Sequence, residues 1–236
     1  MKFPFVFQKI RAAFELQSIL DANRLLPASA GSLHGKLDHV SRCYAGNSAR
    51  YWLRAFTARQ YSTNSTKVSL TRELRLCIKW WLLALKSPIP RPIPIDRRQM
   101  PQTILYTDGE GSGSIGGLIF HRAVGEANFG KPRYFQLDLP PELFLMWNKP
   151  GKQVINQIEA TAPLIAAHTW PEMFENALCH IYIDNDAALS SLVKGCSSKT
   201  LSMGALASFT WDALANLGTW PWFERVEDRK STRLNS

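Results

Sequence analysis

Thr103-Ile104-Leu105-Tyr106-Thr107-Asp108-Gly109, followed by Ser112-Gly113-Ser114-Ile115-Gly116-Gly117-Leu118-Ile119-Phe120-His121, decides the fold. β-branched and aromatic residues predict a strand over 103–107. A glycine- and serine-rich turn follows over 109–114, and a second strand over 115–121 completes a hairpin. Asp108 falls where the first strand ends. Outward from this hairpin, residues 133–139 alternate and predict a third strand. A helix is expected over Glu159 to Thr169, stopped by Trp170-Pro171. His180-Ile181-Tyr182-Ile183 reads as a buried strand running into Asp184, with a short helix from there through Val193 to a stop at Gly195. A further helix covers 201–217 and ends at Gly218, and a last strand covers 219–226. Three antiparallel strands, then helix, strand, helices and strand, predict an α/β fold: a mixed five-stranded sheet with helices on its faces.

The chain before this region has a different character. The whole protein has 236 residues and a net charge of +9, but residues 1–100 carry +12, residues 101–227 carry −5 and the last nine carry +2. That asymmetry predicts polyanion binding in the first part and cation binding in the second. Leu70, Leu74, Cys77, Ile78, Trp81 and Leu85 recur at helical spacing, with Ser69 as expected N-cap, and so do Ile10, Phe14 and the 16–20 stretch. Arg50 and Arg54 stand one helical turn apart and are expected on a common face. Ser87-Pro88-Ile89-Pro90-Arg91-Pro92-Ile93-Pro94 cannot be helical, because proline lacks the N–H and restricts its predecessor. The expected organisation is a basic helical module over 1–87, a Pro-rich linker over 88–98 and a mixed domain over 99–227. No apolar run reaches the roughly 20 residues of a membrane helix. The N-terminus lacks a secretory signal, and four scattered cysteines without a CxxC pair point to a reduced, intracellular setting.

The chemistry rests on three acids. Asp108 ends the first strand, Glu159 is expected to begin the first long helix, and Asp184 ends the central strand. Ends of neighbouring strands converge on one edge of a sheet, where ligands of α/β folds bind. Carboxylates gathered there repel one another unless cations neutralise them. Hard divalent ions such as Mg²⁺ prefer oxygen ligands, and two ions roughly 4 Å apart clamp the attacking and leaving oxygens of a phosphodiester. Asp186 is expected to be a helix cap only.

At this point the sequence resembles a family. Tyr106-Thr107-Asp108-Gly109 with its Gly/Ser loop is similar to the first motif of ribonuclease H. Asn156-Gln157-Ile158-Glu159-Ala160 resembles the second, and Tyr182-Ile183-Asp184-Asn185-Asp186-Ala187-Ala188 the third. The variants are most similar to the ribonuclease H regions of retrotransposon and pararetrovirus-type reverse transcriptases. Leu33-His34-Gly35-Lys36-Leu37-Asp38, with the Gly46–Arg59 stretch, resembles the thumb or connection segment that precedes them. No Tyr-x-Asp-Asp polymerase motif occurs, so this chain cannot copy nucleic acid by itself.

The resemblance implies a ribonuclease H-like fold preceded by a small helical module, and hydrolysis of the RNA strand of RNA–DNA hybrids with two Mg²⁺ ions, Mn²⁺ being an alternative. Asp108 would bridge the ions, and Glu159 and Asp184 would hold one of them. Asn156 and Gln157 match positions that touch the RNA minor groove and its 2′-hydroxyls. Gly109 and Glu110 would bring backbone to a phosphate, with Lys36, Arg50 and Arg54 gripping the duplex. An upstream polymerase palm and fingers are the implied partners in a longer polyprotein.

Two departures stand out. Pro163 removes a bond to the carbonyl of Glu159, so the helix is expected either to start near Glu159 or to kink. The family's fourth carboxylate has no secure counterpart: Val226-Glu227 runs into Asp228 and a tail over 228–236 that reads as non-native, so the domain is expected to be truncated. Two other readings stay open. Asp108-Gly109-Glu110 could be the Asp-x-Glu motif of a 3′–5′ exonuclease, or the chain could bind hybrid without cutting it.

Overall fold

The computed structural model describes residues 3–41, 47–62, 68–86, 96–148, 154–197 and 200–226, with the side chains of residues 3–9 left aside. The Pro-rich 88–95 stretch, Cys43, Glu227 and the 228–236 tail lie outside these residues. The chain divides into two compact units, Met1–Arg91 and Pro92–Ser236.

The elements of the first unit are helices: α1 (Phe3–Ala22), α2 (Pro27–Ser41), a 3₁₀ turn (Ser48–Leu53), α3 (Arg54–Gln60) and α4 (Arg72–Lys86). Leu16, Leu33, Leu37, Phe56, Leu74, Ile78 and Trp81 form its core, and Trp52 stacks on Trp80 at 5.3 Å between centroids. Ser69 is not the cap of α4. It pairs with Arg24 in an isolated antiparallel bridge, and the hydroxyl of Thr71 accepts the Leu74 N–H at 3.2 Å instead. Helical spacing did not guarantee burial on α1, where Ile10 and Phe14 are exposed and Ala12 and Leu16 turn inward.

The second unit holds β1 (Gln102–Gly109), β2 (Ser114–Arg122), β3 (Arg133–Asp138), α5 (Pro141–Trp147), α6 (Ile155–Thr169), α7 (Pro171–Phe174), β4 (Leu178–Ile183), α8 (Asp186–Lys194), α9 (Leu201–Asn216) and β5 (Trp220–Arg225). The sheet order is β3-β2-β1-β4-β5. β1 pairs antiparallel with β2, with Asp108 opposite Gly116, and parallel with β4, with Tyr106 opposite Tyr182. β3 extends the antiparallel side and β5 the parallel side. This mixed, open α/β sheet with its helices is consistent with a ribonuclease H-like fold.

One face of the sheet makes the core. Leu105, Ile115, Ile119, Cys179, Ile181 and Ile183 pack against Ile158, Ala162 and Ala166 of α6, Leu192 of α8 and Ala207 and Leu214 of α9. Helices flank the sheet as expected, and they leave apolar side chains of its other face open. Alternation sends Tyr106, Leu118, Tyr134 and Trp222 to the other face, and each of them is exposed, Trp222 to 63%. There Tyr106 stacks on Tyr182 at 4.8 Å. Phe223 points the opposite way and packs on Trp211 of α9.

Helix ends follow local chemistry. α8 ends at Gly195 with φ +65°, a left-handed position suited to glycine. The Thr200 side chain caps α9. A Cβ on Gly218, φ +67°, would come within 2.5 Å of Asn176 Oδ1, so no other residue fits there without a shift. α6 continues through Pro163 and begins at Ile155, a full turn before Glu159.

Candidate metal centre

β1 carries Asp108 to the edge of the sheet, β4 carries Asp184 to the same edge, and α6 delivers Glu159 between them. One carboxylate oxygen from each of these three residues lies within 4.8 Å of the others. Asp108 and Asp184 are exposed, whereas Glu159 is 2% exposed. Since α6 begins earlier than expected, Glu159 sits in its second turn, where the helix is already packed on the sheet. That placement explains its burial.

The end of β1 and this helix fit closely. The Gly109 N–H donates to Glu159 Oε1 at 3.0 Å. A Cβ on Gly109 would stand 2.8 Å from Ile158 Cγ2 and 3.3 Å from the Glu159 carboxyl, so glycine is what lets α6 approach. The other oxygen, Glu159 Oε2, is buried and has no hydrogen-bond partner. Burial pushes the Glu159 carboxyl up to about 8; the charges of Asp184 and Asp108 push the same way, against the Gly109 N–H.

An orphaned buried carboxylate oxygen beside two further carboxylates is costly in a metal-free protein. A divalent cation would relieve both the repulsion and the missing partner, and the all-oxygen donor set suits a hard ion. The three residues present therefore fit a bound metal.

The surrounding frame was only partly anticipated. Asn185, not Asp186, caps α8: its Oδ1 accepts the N–H groups of Ala187 at 3.0 Å and Ala188 at 2.9 Å. Its Nδ2 donates to Asn156 Oδ1 at 3.0 Å, tying the residue after Asp184 to a residue one turn before Glu159. The preference of N-caps for Asn was the available signal. Asp186 occupies the first helical position and pairs with Arg225 of β5 at 3.3 Å.

The expected nucleic-acid contacts sort differently. Asn156 is half-buried beside the acids. Gln157 is corrected: it is 4% exposed and its Nε2 donates to Ser202 of α9 at 3.3 Å. One residue along a helix turns about 100°, which takes Gln157 from the acids to the neighbouring helix. The N–H groups of Gly109 and Glu110 are engaged within the protein, Glu110 closing the hairpin onto the Ser114 carbonyl at 2.8 Å, so neither offers a free donor to a phosphate. The Glu110 side chain is exposed and stands outside the acidic cluster. In the other unit Lys36 pairs with Glu15 at 2.7 Å. Arg50 lies in the 3₁₀ turn and Arg54 opens α3. A 3₁₀ turn followed by α3 thus replaces the single continuous helix expected over 48–60.

Among the described residues no helix is long and apolar enough to cross a membrane. No protein-family model matches the chain, and no curated protein matches it.

Proposed function

We propose that the second unit hydrolyses the RNA strand of RNA–DNA hybrids, as the nuclease part of a reverse transcriptase polyprotein, with Asp108, Glu159 and Asp184 holding two Mg²⁺ ions. The observation that carries the reading is the convergence of three carboxylates, one with a buried unpartnered oxygen, at the edge of a ribonuclease H-like sheet. Bound divalent ions would supply Lewis-acid stabilisation of the phosphodiester and a more acidic water. The residues do the rest. Asp108, exposed at the strand end, would hold the ions on the side open to substrate. Glu159 is held by the Gly109 N–H, and Asp184 stands immediately before the capped start of α8, so its main chain is positioned in advance. Asn156, held by Asn185 beside the acids, is the side chain suited to a 2′-hydroxyl. Water adds to phosphorus as the bond to the 3′ oxygen breaks. The leaving oxygen takes the proton, giving a 3′-hydroxyl and a 5′-phosphate.

The 3′–5′ exonuclease reading requires Glu110 beside Asp108. Its exposed position in the hairpin turn favours the ribonuclease reading instead.

The test is a hybrid whose RNA strand is labelled at its 5′ end, incubated with the full chain in Mg²⁺. Internal cuts in RNA alone, lost in Asp108→Asn, are expected. Stepwise trimming from 3′ ends would favour the exonuclease. Retention of hybrid without any cleavage in Mg²⁺ or Mn²⁺ would make the chain a binding module.

A further inference from the structure

The helical unit contains a cleft that the carboxylate chemistry does not use. α1 and α2 run as a hairpin, and between them lies a cavity of about 460 Å³ lined by Arg11, Ala12, Gly35, Lys36, His39 and Val40. That volume is in the range of small-ligand sites. Ala12 and Val40 are buried and form its floor, while Arg11, Lys36 and His39 are exposed and form its rim.

The rim is ordered. Glu15, one turn along α1 from Arg11, grips the Lys36 ammonium at 2.7 Å, which fixes one cation at the end of the cleft. Arg11 from α1 and His39 from α2 complete the rim. The lining thus presents three nitrogen donor groups, two of them always charged, against the single carboxylate of Glu15. No acid belongs to the lining itself. Gly35 lies in open space at the mouth, where a Cβ would meet nothing within 4 Å.

We infer that this cleft binds a phosphate group. A guanidinium fork takes two phosphate oxygens at once, and an ammonium and an imidazole flanking it supply further donors. The buried apolar floor lets the non-ionic part of a ligand, such as a sugar, sit against it. A phosphodiester of a nucleic-acid strand and a free phosphate share this chemistry, and the experiment separates them. The inference does not rest on the nuclease reading, because binding here requires no metal.

The test uses the full chain in EDTA, which removes any contribution from divalent ions. Affinity for a fluorescently labelled RNA–DNA hybrid is read by anisotropy over a salt series, and the His39 imidazole is followed by NMR as inorganic phosphate is added. Arg11→Ala removes the fork. Gly35→Glu adds a carboxylate over the cleft at an exposed helical position, where replacing glycine favours folding. If the cleft takes a strand phosphodiester, each variant weakens hybrid binding about tenfold at low salt, as loss of a charged hydrogen bond does. Arg11→Ala also lowers the salt slope by about 0.9, one phosphate contact. If it takes free phosphate, His39 shifts saturably in wild type and not in Gly35→Glu, with hybrid affinity unchanged. Hybrid affinity and salt slope indifferent to both variants, together with no saturable His39 shift, would overturn the inference.

Discussion

The main-chain N–H of Gly109 donates to Oε1 of Glu159 across 3.0 Å, fastening the end of β1 to the second turn of α6. One carboxylate oxygen is thereby held by the protein and the other is left buried without a partner. The consequences can be measured one at a time.

Gly109→Ala forces a Cβ to within 2.8 Å of Ile158 Cγ2. Ile158 is fully buried, so the helix must move. Thermal unfolding should show a loss of about 1–3 kcal/mol, typical of overpacking. Divalent-ion binding, followed by calorimetry, should weaken as well, because Glu159 moves with its helix.

The raised Glu159 carboxyl makes stability depend on pH. In the metal-free folded protein it titrates at about 8, against an ordinary value of 4.5. Between these values the unfolded chain has released a proton that the folded chain still holds. The contribution is complete below pH 4.5 and is lost as pH rises through 8. Unfolding midpoints measured in EDTA should fall across this window in wild type and stay flatter in Glu159→Gln. Mg²⁺ should raise the wild-type midpoint most at the alkaline end, where protons no longer compete.

Asn185 serves two helices, and two substitutions separate its roles. Asn185→Ala loses the cap and the bond to Asn156, and should cost about 1 kcal/mol in denaturant unfolding. Asn185→Ser keeps a capping oxygen but cannot donate an amide N–H to Asn156. It should recover most of the stability while Mn²⁺ affinity stays reduced. Full recovery of both would leave the Asn156 bond without a part in shaping the centre.

Asp186 stands two residues from Asp184 yet belongs to a different arrangement. Its pairing with Arg225 joins two well-exposed side chains, and such pairs contribute little. Asp186→Asn should change stability by no more than about 0.5 kcal/mol and leave Mg²⁺-dependent cleavage intact. Asp184→Asn should abolish that cleavage. Equal losses in the two variants would show that Asp186 acts on the ions.

Much of this is legible in the amino-acid sequence. β-branched and aromatic runs located β1, β2 and β4, and alternation over 133–139 located β3. Asp108 and Asp184 could be found because each ends such a run, and Gly195 and Gly218 marked helix stops through positive φ. The start of α6 was not legible: Val154 at its N-cap position makes no side-chain cap, so the sequence carries no signal there. The four-residue displacement hid the burial of Glu159 and turned Gln157 toward α9. The bare sheet face was also hidden. Tyr106, Leu118 and Trp222 are as apolar as the residues beneath the helices, and composition cannot say which of two apolar faces is covered. The 3₁₀ turn before α3 was hidden as well, because nothing in Ser48–Leu53 distinguishes it from an α-helix.

The hydroxyl of Thr107 donates to the carbonyl of Tyr182 at 3.1 Å, joining residues 75 apart in the chain. Beside it runs the parallel β1–β4 ladder, with the antiparallel hairpin on its other side. The hairpin is a local contact that closes early, whereas a parallel pairing at this separation waits for loop closure over everything between. Asp108 belongs to the first and Asp184 to the second. The acidic centre therefore has no precursor in any short piece of the chain. It comes into being only when the slowest contacts of the sheet close, so cutting or permuting the chain between residues 108 and 184 acts first on the rate at which the centre assembles.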